Sequence, residues 1–376
     1  MYGPAEPASR GLPQSKHMGG GGKKKKVFNP AAAAAKAAAE ADSAAAAAAP
    51  PASTEPSLSK KALKALKKAG ELPSTSAVAA ASAPVICAVL REFGDADIEL
   101  AQCCLKRAAE LCGEDSSQRG ALLDAGLATA AVGAMQAHLL TRRVQLAGCV
   151  ALGAVAMAPA AGAREAVAET AGGVAAVVAA MRAHDEVAEV QEKCCAALGT
   201  LVLGMVRTPS RGGGGPHLVA AVPALCATIA AMRAHAEADG VQRCGCTVLC
   251  NLAGSTADGP ATVLRLGGAA AVVAAMRAHP TLAVQTQGCG ALGNMAGGDA
   301  AAQRAVLDAG GAAALVAALR AFPDETGLQR AGRSALANAA WGDAAMRAEV
   351  VAAGAEPSWL GDEEGPEGQG QDMPKE

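Results

Sequence analysis

The chain has 376 residues, 51% of them hydrophobic but only 2% aromatic, with 44 glycines. That is enough for two ordinary domains or one long repeat array. Abundant alanine beside so few aromatic residues excludes a large sheet and predicts an all-α protein. The formal net charge of −2 combines a basic head, with 12 Lys or Arg against four acids in residues 1–70, and an acidic remainder, so the globular part has no overall bias toward specific nucleic-acid binding.

Residues 1–83 read as a disordered, low-complexity basic head of Gly, Pro and Ala runs, with a lysine run at Lys23, Lys24, Lys25 and Lys26. Such a composition buries too little apolar surface to offset chain entropy. The lysine run has two readings, a nuclear import signal and a solvated tail. Further on, "SKKALKALKKAG" (59–70) predicts a short helix over 59–69, capped by Ser59 and ended by Gly70. The start of the chain has no apolar core of a secretory leader, whereas an organellar transit peptide stays open because the head is nearly free of acids up to Glu40. The alanine run at 31–50 is broken by Lys36, Glu40 and Asp42 and lacks the apolarity of a membrane span.

From residue 84 to residue 360 the chain repeats itself. "VVAAMRAHDEVAEVQEKCCAALG" (177–199) returns as "VVAAMRAHPTLAVQTQGCGALGNMAGG" (272–298), and a Val-Gln marker or its relative begins at Ile98, Val144, Val190, Val241, Val284 and Leu328. The spacings are 46, 46, 51, 43 and 44, the longest holding an insertion of loop composition, "RTPSRGGGGPH" (207–217). Each unit divides into a short helix closed by Gly, such as "AAQRAVLDAGG" (301–311), a second, "AAALVAALRAF" (312–322), and a third, "LQRAGRSALANAAWG" (328–342). A helical period in the forties fits armadillo or HEAT units and is too long for ankyrin or tetratricopeptide ones. The order of pieces resembles the armadillo repeat, most clearly in "GCGALGNMAGGD" (288–299) and "CTVLCNLAGS" (246–255). The resemblance implies a right-handed α-solenoid of about six three-helix repeats, with a protein or peptide partner held along a concave groove lined by the third helices. It is also similar to the armadillo-type arrays of large scaffolds such as leucine-rich-repeat kinases, although the Gly-rich loop and the "HRD" and "DFG" signatures of a kinase are absent. Residues 361–376 hold six acids and read as a disordered acidic tail.

The chemistry-bearing residues follow the repeat. Cys103, Cys149, Cys195, Cys246 and Cys289 lie five residues after the marker, with Arg333 in the sixth unit, which predicts small packing residues. Cys244, Cys246 and Cys250 come closest to a metal cluster, yet residues two apart on a helix point away from each other, so no metal or cofactor is expected. Unpaired cysteines predict a reducing compartment, cytoplasmic or nuclear. The last position of the second helix is Phe93, His138, His184, His235, His279 or Phe322, usually two residues after an Arg. Catalytic chemistry would not survive the exchange of His for Phe, so the slot is read as a ring at a helix end, where His or Arg bonds orphan carbonyls. No hydrolase, zincin or P-loop motif is present, and the reading is a non-enzyme.

Advancing 100° per residue along a third helix places marker offsets 0, 4, 5, 8 and 11 on the apolar arc, for instance Val284, Gly288, Cys289, Leu292 and Met295. The same reading assigns offsets 3, 6, 7 and 10 to the opposite side, where Lys193, Thr200, Thr247, Asn251, Gln287, Asn294, Ser334 and Asn338 form the candidate partner-binding groove. Asn251, Asn294 and Asn338 would make a ladder that clamps an extended peptide, as the corresponding asparagines do in the armadillo family, or would bond their own helices. Importin-α-like adapters carry a Trp four residues before this Asn, where this chain has Thr247, Gly290 and Ser334. Trp341 would be a partner anchor or a cap over the last repeat.

Overall fold

The computed structural model describes residues 58–361 except residue 171 and residues 207–215. The described residues form helices without a strand. After α1 (Lys60–Ala69) and α2 (Thr75–Ala79), unit 1 consists of α3 (Ala83–Phe93) and α4 (Ile98–Glu114). Unit 2 is α5 (Ser116–Asp124), α6 (Leu127–Ala137) and α7 (Arg142–Val155). Unit 3 opens with α8 (Ala163–Glu165), which runs into a π-helical turn at Ala166–Thr170, and continues with α9 (Gly173–Ala183) and α10 (Ala188–Val206). Unit 4 is α11 (Pro216–Ala234) and α12 (Asp239–Ser255), and unit 5 is α13 (Gly259–Arg265), α14 (Gly268–Ala278) and α15 (Leu282–Ala296). Unit 6 is α16 (Ala300–Asp308), α17 (Gly311–Ala321) and α18 (Thr326–Ala339), followed by α19 (Ala344–Ala352) and a 3-10 turn at Pro357–Trp359.

Each third helix packs on the next, α4 on α7, then α10, α12, α15 and α18, and the second helices α3, α6, α9, α11, α14 and α17 form a parallel row beside them. The result is an all-α solenoid. Its packed part starts earlier than residue 84: Ser59 accepts the Ala62 amide at the start of α1, Leu63 is 5% exposed, and Val78 of α2 is fully buried. The chain resumes as helix at Pro216, inside the segment expected to be loop up to 217.

Two positions in the expected register are corrected. In unit 1 the third helix begins two residues before Leu100, as it does before Val144, Val190, Val241, Val284 and Leu328, so Leu100 and not Ile98 is the counterpart of the marker. Leu100 is buried and Ile98 is not, which moves Leu105 into the cysteine slot and leaves Cys103 half-buried with its Sγ 3.4 Å from the Thr75 carbonyl. Offset 7 also belongs to the buried side, since seven residues are nearly two full turns. Ala151, Ala197, Val248, Ala291 and Ala335 occupy it, all buried between third helices.

Small residues set how closely helices approach. A Cβ placed on Gly148, Gly245 or Gly288 would lie 2.5 Å from Met135, Met232 or Met276 of the second helix in the same unit. Between units, a Cβ on Gly293 would meet the Cβ of Ala335 at 3.2 Å. Alanine, glycine and cysteine between leucine, valine and methionine therefore make a core with little aromatic volume beyond Phe93 by drawing the backbones together. The bend between first and second helices is made at Gly126, Gly267 and Gly310, with φ of +81°, +85° and +82°, and Gly354 makes the corresponding bend after α19 with φ +99°, a region that strains other residues.

Polar side chains stitch this stack. The Gln of the marker is buried in its third helix and donates to two carbonyls at the end of the second: Gln242 Nε2 to Met232 O at 2.8 Å and His235 O at 2.9 Å. Gln145, Gln191, Gln285 and Gln329 repeat the arrangement. The histidines do not bond their own helix end as expected; their Nε2 atoms reach the preceding unit, His138 to Gly94 O at 2.8 Å, His184 to Leu139 O at 2.9 Å, and His235 and His279 to Asp185 O and Ala236 O at 2.6 Å. The arginines reach forward: Arg91 Nη2 donates to Ala125 O at 2.7 Å and Arg320 Nη2 to Gly354 O at 2.8 Å, at the bends of the following helices.

Two predictions follow from this packing. Gln242→Leu leaves two carbonyls at a helix end without their donor and should cost about 2 kcal/mol in urea unfolding. Gly288→Ala should be destabilising by about 1–3 kcal/mol through its clash with Met276, whereas Gly133→Ala, exposed on α6 with open space around the new Cβ, should stabilise by about 0.5–1 kcal/mol.

Candidate functional site

The outward side of the third-helix row is the candidate site, and its best-defined feature is a column of amides. Asn251 Nδ2 donates to Gly199 O at 2.7 Å, Asn294 Nδ2 to Cys250 O at 2.9 Å, and Asn338 Nδ2 to Gly293 O at 3.0 Å. In each pair the acceptor lies one position earlier on the preceding third helix, so the same bond recurs three times. Close approach needs glycine in the earlier helix: a Cβ on Gly254 would sit 2.5 Å from Asn294 Nδ2. The asparagines thus neither cap their own helices nor stand wholly free. At least one N–H of each is held by the neighbouring unit; Asn294 Nδ2 also lies 3.4 Å from Cys250 Sγ, and since Asn294 is exposed its carbonyl oxygen is left at the surface as an acceptor.

The other expected residues divide into those committed locally and those open. Thr247 Oγ1 donates to Arg243 O of its own helix at 3.0 Å, and Lys193 Nζ lies 3.2 Å from Glu192. Glu192 also faces Arg243 of the next unit at 3.9 Å. Thr200 and Gln287 are half-buried and Ser334 is exposed. Trp341 is 49% exposed, and its backbone carbonyl accepts a bond from Gln303 at 3.2 Å. The aromatic residue that packs at the end of the array is instead Trp359, with the Arg333 guanidinium 5.8 Å from its ring centre. Lys23, Lys24, Lys25 and Lys26 lie outside the described residues.

Character changes along the row. On α7 and just past its end it is apolar, with Val150 43% and Met157 50% exposed. Across α10 and α12 it carries the Glu192, Lys193 and Arg243 cluster. On α15 it is neutral and polar through Gln287 and Asn294, and on α18 it is basic through Arg330 and Arg333. Its missed partners are the glycines: Gly254 and Gly297 follow the Asn motif in sequence, but only the stack shows that each faces the amide of the next unit.

The thiols serve packing. All twelve cysteines are free. Burial pushes the thiols of Cys246 and Cys289 up to about 12 and that of Cys87 up to about 11, the last partly offset by Arg91. Cys149 and Cys194 touch across units with their Sγ atoms 3.5 Å apart. Since the thiolate is the reactive species, alkylation of the native protein at neutral pH should modify exposed Cys226 first, with Cys246 and Cys289 protected until denaturant is added; mass spectrometry of the labelled peptides gives the order.

No family model matches the sequence, and no curated protein matches it. Solved structures do. An engineered protein from a structural genomics consortium is 23% identical with a TM-score of 0.56, covering 68% of this chain and 98% of that one. A designed armadillo repeat protein in complex with the peptide (KR)4 is 16% identical with a TM-score of 0.55, covering 68% of this chain and 98% of that one. Computationally designed armadillo repeat proteins for modular peptide recognition are 18% identical with a TM-score of 0.55, covering 68% and 99%. Likeness at this identity concerns the fold alone, and with the repeating three-helix units it gives the chain an armadillo-type helical repeat fold.

Proposed function

We propose that the protein is a non-enzymatic scaffold that binds an extended segment of a protein partner along the outward side of its third helices. The observation that carries this reading is the asparagine column: three amides in successive units, each oriented by its Nδ2 bond to the preceding third helix, with Asn294 exposed and Asn251 and Asn338 half-buried beside it. Packed helices lie about 8–10 Å apart, and an extended chain advances about 3.3 Å per residue, so successive amides would meet the partner's backbone about every third residue. Pre-oriented amides lose little side-chain entropy on binding, which favours affinity. The designed armadillo protein solved with a (KR)4 peptide supports the mode of binding for this fold. The positions four residues before the asparagines are Thr247, Gly290 and Ser334, which offer no aromatic slots for lysine stems, so we assign the row a partner recognised mainly through its backbone.

A second part of the proposal concerns location. The run Lys23–Lys26 would direct the scaffold to the nucleus, and deletion of residues 23–26 in a fluorescent fusion should then shift it out of that compartment; an unchanged distribution removes this part.

Selection from a displayed random-peptide library on the full chain tests the scaffold reading. Asn251→Ala with Asn294→Ala should weaken a selected peptide about tenfold or more, consistent with loss of two bonds worth about 1 kcal/mol each. The same variant should lose only about 1–2 kcal/mol of stability. Unfolding curves that fall while peptide affinity stays unchanged would assign the asparagines to the stack alone.

A further inference from the structure

At the far end of the third-helix row, Ala337, Ala340, Trp341, Gly342, Arg347 and Leu360 enclose an open hollow of about 350 Å³. Its walls are mostly small residues, so the half-exposed indole of Trp341 has little beside it. Three cations lie toward this end: Arg347 lines the hollow, and Arg333 and Arg330 stand about one and two turns back from Ala337 along the exposed side of α18. Among the described residues, Arg330, Arg333 and Arg347 have no carboxylate within ion-pair distance, whereas Arg107, Arg142, Arg143 and Arg304 are all paired with one. Arg333 is held by Gln329 Oε1 at 3.1 Å and lies over Trp359. Asp343 also borders the hollow, and its Oδ1 accepts the amides of Ala345 and Met346 at 2.8 and 2.9 Å and caps α19; the three arginines still outnumber this one carboxylate.

The chain leaves from this same place. Leu360 lines the hollow, and the carbonyl of Gly361 accepts a bond from Arg347 Nη2 at 2.8 Å. Residues 362–376 then carry six acids and one lysine, a formal charge of 1 − 6 = −5. Four of the acids, Asp362, Glu363, Glu364 and Glu367, follow at once, with Pro366 among them. Fifteen residues span up to roughly 50 Å when extended, far more than is needed to turn back over one helix, and Gly365 allows the turn.

We propose that this acidic segment docks on the terminal patch of its own chain, its first carboxylates on Arg330, Arg333 and Arg347 and Pro366 against the Trp341 indole. Three arginines without a carboxylate partner and a half-exposed indole at the rim of the hollow match a segment of four acids around a proline, and no second molecule has to be recruited. A tether this short holds the acids near the patch at an effective concentration of about the millimolar range, so a contact too weak to form between separate molecules is well populated within one. Trp341 lies three residues after Asn338, so the docked segment covers the last amide of the column; that consequence rests on the scaffold reading above, while the docking does not.

The test compares the full chain with a full-length variant carrying Asp362→Asn, Glu363→Gln, Glu364→Gln and Glu367→Gln, using a fluorescent peptide of residues 362–376 followed by anisotropy at low and high ionic strength. The neutralised variant, its own segment no longer competing, should bind the peptide about tenfold more tightly than the wild type, and the difference should shrink with added salt. Adding Arg330→Glu or Trp341→Ala, both at exposed positions, to that variant should each weaken the peptide about tenfold or more. Equal binding by wild type and neutralised variant, no binding by either, or equal binding of a scrambled peptide of the same charge would overturn the proposal. Circular dichroism melting of every variant confirms that the fold is retained.

Discussion

Carbonyls at the ends of buried helices are the constraint on which this structure turns. Every helix leaves its last four carbonyls without an intrahelical partner, and stacking six units buries many of those ends away from water. An unpaired carbonyl there costs about 1–3 kcal/mol, a sum large enough to unmake the array. The chain meets the demand with one glutamine per unit from the second to the sixth. Gln145, Gln191, Gln242, Gln285 and Gln329 each reach from the third helix to the end of the second. Histidine then bonds backward to one neighbour and arginine forward to the other, so a side chain that satisfies a carbonyl also fixes how the units sit on each other.

Close approach is the second condition, and it explains the composition. With six aromatic residues in the whole chain, the core gains its contacts by shortening distances. Glycine in the third helix admits the methionine of the second, and glycine or alanine pairs line the seam between third helices. Dispersion contacts fall away steeply with separation, so a narrow gap lined by small residues can be as well packed as a wide one filled by large ones. The same smallness brings each asparagine of the column within bonding distance of the preceding helix, so that packing and the candidate site share one set of residues.

The histidine slot illustrates how a repeated polar residue takes its role from what it stacks on. The contact that His138, His184, His235 and His279 share is a main-chain oxygen of the preceding unit, and among the described residues His279 alone adds a carboxylate, Asp239 at 3.6 Å. Phe93 has no preceding unit with such a linker to bond, which accounts for a ring without a donor at the first position. For Phe322 the structure offers no equivalent account.

Periodicity in the sequence was sufficient for the fold: the helical class, the six units, the glycine at the bend and the buried marker all depend on local propensity and on a pattern that recurs every 43 to 51 residues. Helix geometry alone ties such a pattern to one buried face. Tertiary structure decided the rest. It shifted the marker of unit 1 to Leu100, because the start of α4 and the face it buries are fixed by packing, and unit 1 has no Gln beside its marker to show the register in the sequence. Of the two readings of Trp341, partner anchor or cap, it left the indole half-exposed and packed Trp359 at the end of the array, since only the course of α19 brings the latter back over Arg333. It also replaced both sequence readings of the asparagines, a free ladder or bonds to their own helices, with bonds to the preceding third helix. A hydrogen bond between residues about 44 positions apart depends on how one unit is rotated against the next, and that rotation is set by the summed contacts of the whole interface, which no single unit contains.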